Sequence, residues 1–216
     1  MSYQDLVKQL AALVDDDTLS LLPTSDKLLL LGAEDSVFLK AISRKAQKLG
    51  VPYEHTYRFT APYQGVVVDT ETCSDYLRLP VDADIDHSFS EGFSSVSQGV
   101  LSLLLAADLV SRKDITIVGR GHAVKGLAQA LIDNNATVTV AHSKTESLLQ
   151  ATLNRDVVIY ATPTISQDIS YNTKALVIDL GNSVLHPDRL SCEYINRIGN
   201  LTTSIILNRF VRKGRR

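Results

Sequence analysis

The chain has 216 residues, 44% hydrophobic and 21% charged, with a formal net charge of −2. This is ordinary globular composition for one large or two small domains, and the near-neutral balance gives no global field for nucleic acid or an anionic membrane. Cys73 and Cys192 form no CxxC or Cys/His metal pattern and fit a reducing, cytoplasmic setting. The opening stretch MSYQDLVKQLAALVDDD lacks the basic start of a signal peptide. The longest apolar run, GVLSLLLAADLV, is too short and interrupted to span a bilayer.

In chain order, Leu6, Leu10 and Leu13 recur at helical spacing, widened by Val7 and Val14. KLLLLGA (Lys27–Ala33) reads as a short buried strand. Val37, Phe38, Ala41, Ile42 and Leu49 mark the apolar face of a helix ending at Gly50. VPYEHTYRF and GVVVDT (Gly65–Thr70) read as further strands, and Thr72–Ser95, acidic and rich in Ser and Gly, as a loop crossing between two lobes. A helix over about 96–110 leads to the second lobe. There the strands DITIVG, ATVTVAH, DVVIYATP and ALVIDLGN are expected, with helices HAVKGLAQALIDN and TESLLQATLN and a final helix over about 202–211.

The pattern predicts an α/β protein of two lobes around a cleft. Residues 1–90 form a smaller N-terminal α/β lobe, and residues 91–216 a Rossmann-type parallel sheet with its linking and C-terminal helices. The last eight residues, RFVRKGRR, are expected to be a frayed solvated tail, contact with RNA or a phosphate being the alternative.

After DITIVG, Gly119, Gly121 and Gly126 stand at a strand-to-helix turn with Arg120, His122 and Val124 between them. Glycines there let the backbone approach a pyrophosphate closely. The spacing is G-x-G-x-x-x-x-G rather than G-x-G-x-x-G, so a tight turn that binds nothing is the competing reading. The end of the next strand decides cofactor type. Where NAD-binding units place an acid for the ribose hydroxyls, this chain has His142, Ser143, Lys144 and Thr145, with Glu146 one residue beyond. A 2′-phosphate favours a cation and hydroxyl donors and repels a carboxylate. With Arg120 in the glycine turn, the expected cofactor is NADP; the alternative has Arg120 and Lys144 simply facing water. Ala161 and Thr162, in YATP after a later strand, lie where a cofactor ribose or nicotinamide would pass.

TIVGRGHAVKG and NNATVTVAHSKT resemble the cofactor domain of the bifunctional methylenetetrahydrofolate dehydrogenase/cyclohydrolase family, with its VVGRSxxVGxP and NATVTxxHSxT. Further matches run in order. SVSQGVLSLL resembles CTPxGxxxLL, keeping Gly99. DADIDH resembles DKDVDG, with Asp86 on the second motif aspartate. ALVIDLGN resembles VVIDVGIN, with Asp179 and Gly181 matched, and RIGNLTTSIIL falls at GVGPMTxxxLL. The resemblance implies oxidation of methylenetetrahydrofolate with NADP, hydrolysis of the methenyl product, a folate cleft between lobes, and a homodimer to which NATVTVAH contributes.

The first lobe departs from that pattern. The family's SxxYVxxK helix supplies a stacking tyrosine and a proton-handling lysine. Here those positions fall on Phe38 and Ile42, or with a one-residue gap on Leu39 and Ser43. The QLPLP glutamine becomes Asp69, and the turn's proline becomes Leu127. A shifted helix would present Lys40 or Lys45. The catalytic candidates are therefore Lys40 and Asp86, and cyclohydrolase chemistry is expected to be lost or weakened.

His55, His87, His122, His142 and His186 show no metal-ligand spacing, so no metal is expected. His87 is a candidate acid/base group or a plain loop histidine. Three readings stand: an NADP-dependent oxidoreductase acting on a reduced folate, a catalytically degenerate relative binding a nucleotide or partner, and a small dehydrogenase with another substrate. YATP also resembles the NATP of shikimate dehydrogenases, although that family's paired Lys and Asp are not evident. No nucleic-acid or membrane partner is expected.

Overall fold

The computed structural model describes residues 2–24, 26–59, 63–70, 72–73, 79–163, 174–181, 184, 187, 190–196 and 198–215. The chain forms two compact units: one of Lys8–Ser95 with Gly199–Arg216, the other of Met1–Val7 with Val96–Ile198.

The first unit is built on a three-stranded parallel sheet in the order β2-β1-β3, with β1 Leu28–Leu31, β2 Tyr53–Thr56 and β3 Gly65–Val68. All four leucines of β1 are buried, as expected of a central parallel strand covered on both faces. Helix α1 (Tyr3–Ser20) precedes β1 and α2 (Val37–Leu49) follows it. The Ser36 hydroxyl caps α2 by accepting the Leu39 N–H at 3.2 Å, and Gly50, at φ 75°, ends the helix in the left-handed conformation. The C-terminal helix α6 (Gly199–Lys213) packs on α2, placing Ile206, Leu207, Phe210 and Val211 in one core with Leu39, Ile42 and Leu49.

The second unit carries a five-stranded, all-parallel sheet in the order β5-β4-β6-β7-β8. Its strands are β4 Asp114–Val118, β5 Thr137–Ala141, β6 Val157–Tyr160, β7 Leu176–Asp179 and β8 Glu193–Ile195. Helices α3 (Ser95–Ala106), α4 (Leu127–Asp133) and α5 (Leu148–Thr152) complete the alternation. Strands β4 and β6 are adjacent although β5 separates them in sequence. Their carboxyl ends therefore flank the switch point at which open α/β sheets take ligands.

The two-sheet α/β architecture follows the expectation, with local differences. The stripe on α1 is rotated: Val7, Ala11 and Thr18 are buried, while Leu13 is 65% exposed. On α2 the buried face is Leu39, Ile42, Lys45, Ala46 and Leu49, and Val37 is 83% exposed. The charged Lys45 belongs to that inward face, which an apolar count misses. The helix expected from His122 starts five residues later. A 3-10 turn (His122–Val124), an extended Lys125 and Gly126 at φ 78° come first. Strand β8 is not among the strands that the sequence pattern predicts. Helix α6 belongs to the unit of the three-stranded sheet rather than to the Rossmann sheet.

The described part of the basic tail, residues 209–215, is not frayed. Arg209 donates to the Phe93 carbonyl at 2.8 Å, and Arg212 pairs with Asp17 at 2.6 Å. Lys213 and Arg215 donate to the Asp82 and Leu21 carbonyls. Asn208 and then Arg212 hold the Asp17 carboxyl below its ordinary value. Arg216, His186 and Asn182 lie outside the described residues. Among those described, no helix is long and apolar enough to cross a membrane.

Candidate functional site

The strand ends of the five-stranded sheet bring most of the expected cofactor residues into line. Val118 is in register with Ala141 on one side and Tyr160 on the other, and Tyr160 with Asp179. The four ends span three inter-strand steps, roughly 14 Å at ordinary sheet spacing. Along them lie the 142–145 turn, the glycine turn, Ala161–Thr162, and Asp179–Gly181.

The two key glycines do different work. Gly119, at φ 116°, lies against the next strand end: a Cβ there would stand 2.5 Å from the Ala161 carbonyl oxygen. Its N–H donates to the Ala141 carbonyl at 2.8 Å, and the Ala161 N–H to the Val118 carbonyl at 2.8 Å. Gly119 thus allows three strand ends to close together. Gly121 is extended, at φ −76° and ψ −178°, exposed, and faces open space. It leaves backbone approachable from outside. Behind it Val124 is buried, and the Ser97 hydroxyl donates to the Ala123 carbonyl at 3.2 Å.

The turn after β5 is closed on itself. The His142 N–H donates to the Thr145 hydroxyl oxygen at 2.9 Å, the Thr145 N–H to the His142 carbonyl at 2.8 Å, and the Lys144 N–H to His142 Nδ1 at 3.1 Å. With Nδ1 accepting, a neutral His142 ring carries its proton on Nε2. Ser143 and Lys144 are exposed, as is Arg120 on the neighbouring turn. The rim therefore presents cationic and hydroxyl side chains on a turn held by three hydrogen bonds of its own.

Asp179 sits differently from a ligand-facing carboxylate. It is 1% exposed and accepts from the Gly181 N–H (3.2 Å), the Val184 N–H (2.9 Å) and the Tyr194 hydroxyl (2.9 Å). Burial, and then the bond to Asp179, push the Tyr194 phenol up to about 12. Sequence reasoning missed Tyr194 because β8, which carries it, gave no strand signal. A phenol with a raised folded value stabilises the fold fully below pH 10, and that contribution is lost as pH rises through 10 to about 12. We expect chemical denaturation of wild type to lose stability over this window more steeply than Tyr194→Phe.

In the other unit the catalytic candidates do not form a proton-transfer pair. Lys40 is exposed on α2, and the Ser43 hydroxyl donates to its carbonyl at 3.1 Å. Asp86 is 1% exposed and accepts the Ser95 N–H at 2.7 Å. Nearby Asp84 accepts from the N–H groups of Ser88, Phe89 and Ser90. Burial, then the Arg209 charge, hold His87 below its ordinary value, and its Nδ1 lies 3.0 Å from the Ser90 hydroxyl. Both carboxylates organise the Asp84–Ser95 segment.

Lys45 is the buried cation of α2. Its ammonium meets Asp15 Oδ2 (2.9 Å), Asn200 Oδ1 (2.7 Å), the Asn200 carbonyl (3.2 Å) and the Ser204 hydroxyl (2.5 Å). Burial draws it below the usual lysine value, against the pull of Asp15.

A parallel five-stranded sheet with a glycine turn at its switch point defines a Rossmann-type, dinucleotide-binding class of lobe. The chain belongs to the tetrahydrofolate dehydrogenase/cyclohydrolase family, whose NAD(P)-binding domain model matches residues 94–211. It is 32% identical over 120 residues to the bifunctional protein FolD of Clostridium beijerinckii, a match covering 48% of this chain and 42% of that one. The match thus spans less than half the relative's length. The solved FolD methylenetetrahydrofolate dehydrogenase/cyclohydrolase of Campylobacter jejuni shares the fold, with a TM-score of 0.77 at 17% identity over 99% of this chain and 97% of that chain. So does the Trypanosoma brucei methylenetetrahydrofolate dehydrogenase-cyclohydrolase, solved with NADP cofactor and an inhibitor, with a TM-score of 0.72 at 16% identity over 100% and 96%.

Proposed function

We propose that the chain is an NADP-dependent oxidoreductase of the methylenetetrahydrofolate dehydrogenase type, acting on a reduced folate, with cyclohydrolase chemistry lost or severely weakened. The observation that carries the cofactor choice is the 2.8 Å bond from the Gly119 N–H to the Ala141 carbonyl. It ties the glycine turn to the strand end that leads into the His142–Thr145 turn, and the two turns carry two exposed cations, Arg120 and Lys144, and two hydroxyls. That set suits a 2′-phosphate. The unobstructed Gly121 backbone suits the pyrophosphate, and Ala161 and Thr162 the nicotinamide half. When bound, NADP supplies a ring that accepts hydride; this chain's residues hold and orient it.

Hydrolysis of a methenyl cation needs a group that activates water and moves protons. The α2 positions that resemblance assigns to that lysine hold the fully buried Ile42 or Ser43. Lys45 is consumed by its own network, and Lys40 stands in solvent. The same observations favour a second reading, a degenerate relative that binds a nucleotide or a partner without turnover. In either case residues 91–216 are proposed as the cofactor lobe, although their last helix, α6, packs in the three-stranded unit, and 1–90 as a substrate-like lobe, in a cytoplasmic homodimer paired through NATVTVAH.

Calorimetric titration of NADP and NAD, with a parallel assay of methylenetetrahydrofolate-dependent NADP reduction, tests both readings. Arg120→Ala is expected to weaken NADP about tenfold, the scale of one lost charge-assisted contact, with little change for NAD. Equal losses for both would refute the phosphate role. Turnover supports the oxidoreductase; tight NADP binding without turnover supports the second reading.

A further inference from the structure

We infer that Tyr194 is a positioning residue for the nicotinamide half of the dinucleotide, acting through Asp179 on the backbone at Gly181 and Val184. This rests on the dinucleotide reading above and adds a residue that neither the glycine turn nor the basic rim involves.

The geometry begins with register. Asp179 is the last residue of β7 and pairs with Tyr160, the last of β6, and the Leu180 N–H donates to the Tyr160 carbonyl at 2.8 Å. Gly181 therefore leaves the sheet beside Ala161 and Thr162, two strands beyond the glycine turn and three beyond the 142–145 rim. A dinucleotide with its 2′-phosphate on that rim and its pyrophosphate at Gly121 directs its other end toward β6 and β7.

There the Asp179 carboxylate collects the Gly181 and Val184 N–H groups together with the Tyr194 hydroxyl. One oxygen, Oδ2, receives both Val184 and Tyr194 at 2.9 Å. The hydroxyl thus fixes the rotation of the carboxylate, and the carboxylate fixes the backbone at residues 181 and 184. A carboxylate this buried is held by the donors that surround it. Removing the phenolic donor leaves Oδ2 one bond short, and the N–H groups it orders lose their fixed direction. The ring itself packs against the cluster of Val118, Ala141, Val158, Tyr160 and Val177. Tyr194→Phe therefore deletes the hydroxyl while keeping the packing.

The test uses the full chain and two probes. NADPH reaches both halves of the proposed groove, and 2′,5′-ADP only the rim and the phosphate turn. Tyr194→Phe is expected to weaken NADPH about tenfold, the scale of losing a bond to a buried charge, and to shift the emission of bound reduced nicotinamide. Affinity for 2′,5′-ADP should stay as in wild type. Asp179→Asn, which keeps the shape but turns one acceptor into a donor, should show the same split. Unchanged NADPH binding and emission in Tyr194→Phe would overturn the inference, as would parallel losses for both probes, which signal a general loosening of the unit. If wild type binds neither probe, the dinucleotide reading itself fails and takes this inference with it.

Discussion

Lys45→Ala is expected to destabilise the three-stranded unit by about 3–5 kcal/mol, the scale of removing one partner from a buried ion pair. Lys45 is 8% exposed, and its ammonium joins α1, α2 and α6 through Asp15, Asn200 and Ser204. Alanine strands the Asp15 carboxylate, whose other oxygen, Oδ1, is already buried without a hydrogen-bond partner among the described residues. It also frees acceptors in the first turn of α6. The loss should be far smaller in the double variant Asp15→Leu, Lys45→Met, since replacing a whole buried pair by apolar groups of similar volume is often neutral. Urea unfolding of the wild type, the single and the double variant checks this. If the single variant unfolds at the wild-type midpoint, Lys45 is not the pin described.

Gly119→Ala and Gly121→Ala should separate folding from binding. At Gly119 an added methyl meets the Ala161 carbonyl oxygen at 2.5 Å on a backbone of φ 116°. Left-handed strain and overpacking together are worth about 3 kcal/mol. The thermal midpoint should drop, and dinucleotide binding should fail because the strand ends no longer close. At Gly121 nothing lies within 4 Å and φ is −76°. Stability should change by no more than about 0.5 kcal/mol, yet NADP affinity should fall by at least about tenfold as the methyl enters the pyrophosphate's approach. Wild-type affinity in Gly121→Ala would remove the backbone cradle from the proposed function.

The sequence reveals most where one physical signal dominates. Buried parallel strands announce themselves as apolar runs, so β1, β3, β4, β6 and β7 are readable from LLLL, GVVV, DITIV, VVIY and LVID. The glycine turn and the missing acid after β5 are equally plain. The edge strands β2 and β5 are legible too, in VPYEHTYRF and ATVTVAH, but competing signals hide other features. HAVKGLAQALIDN has helical periodicity throughout, yet Gly126 at φ 78° delays the helix to Leu127. A short strand with one buried residue, Ile195, gives β8 no pattern, and Tyr194 is lost with it. Lys45 is charged in a helix of many charges, and only its distant partners Asp15, Asn200 and Ser204 explain why it faces inward. Contacts between residues far apart in sequence leave no periodic trace.

Both units are discontinuous in sequence: Lys8–Ser95 is joined by Gly199–Arg216, and Met1–Val7 by Val96–Ile198. Residues 8–95 are therefore synthesised long before α6, with all the strands of the five-stranded sheet made in between. Until α6 is made, the part of the α2 face that packs on Ile206, Leu207 and Phe210 lacks that cover, and Lys45 lacks two of its three partner residues. A nascent chain stalled before α6 would display the kind of sticky surface that chaperones recognise.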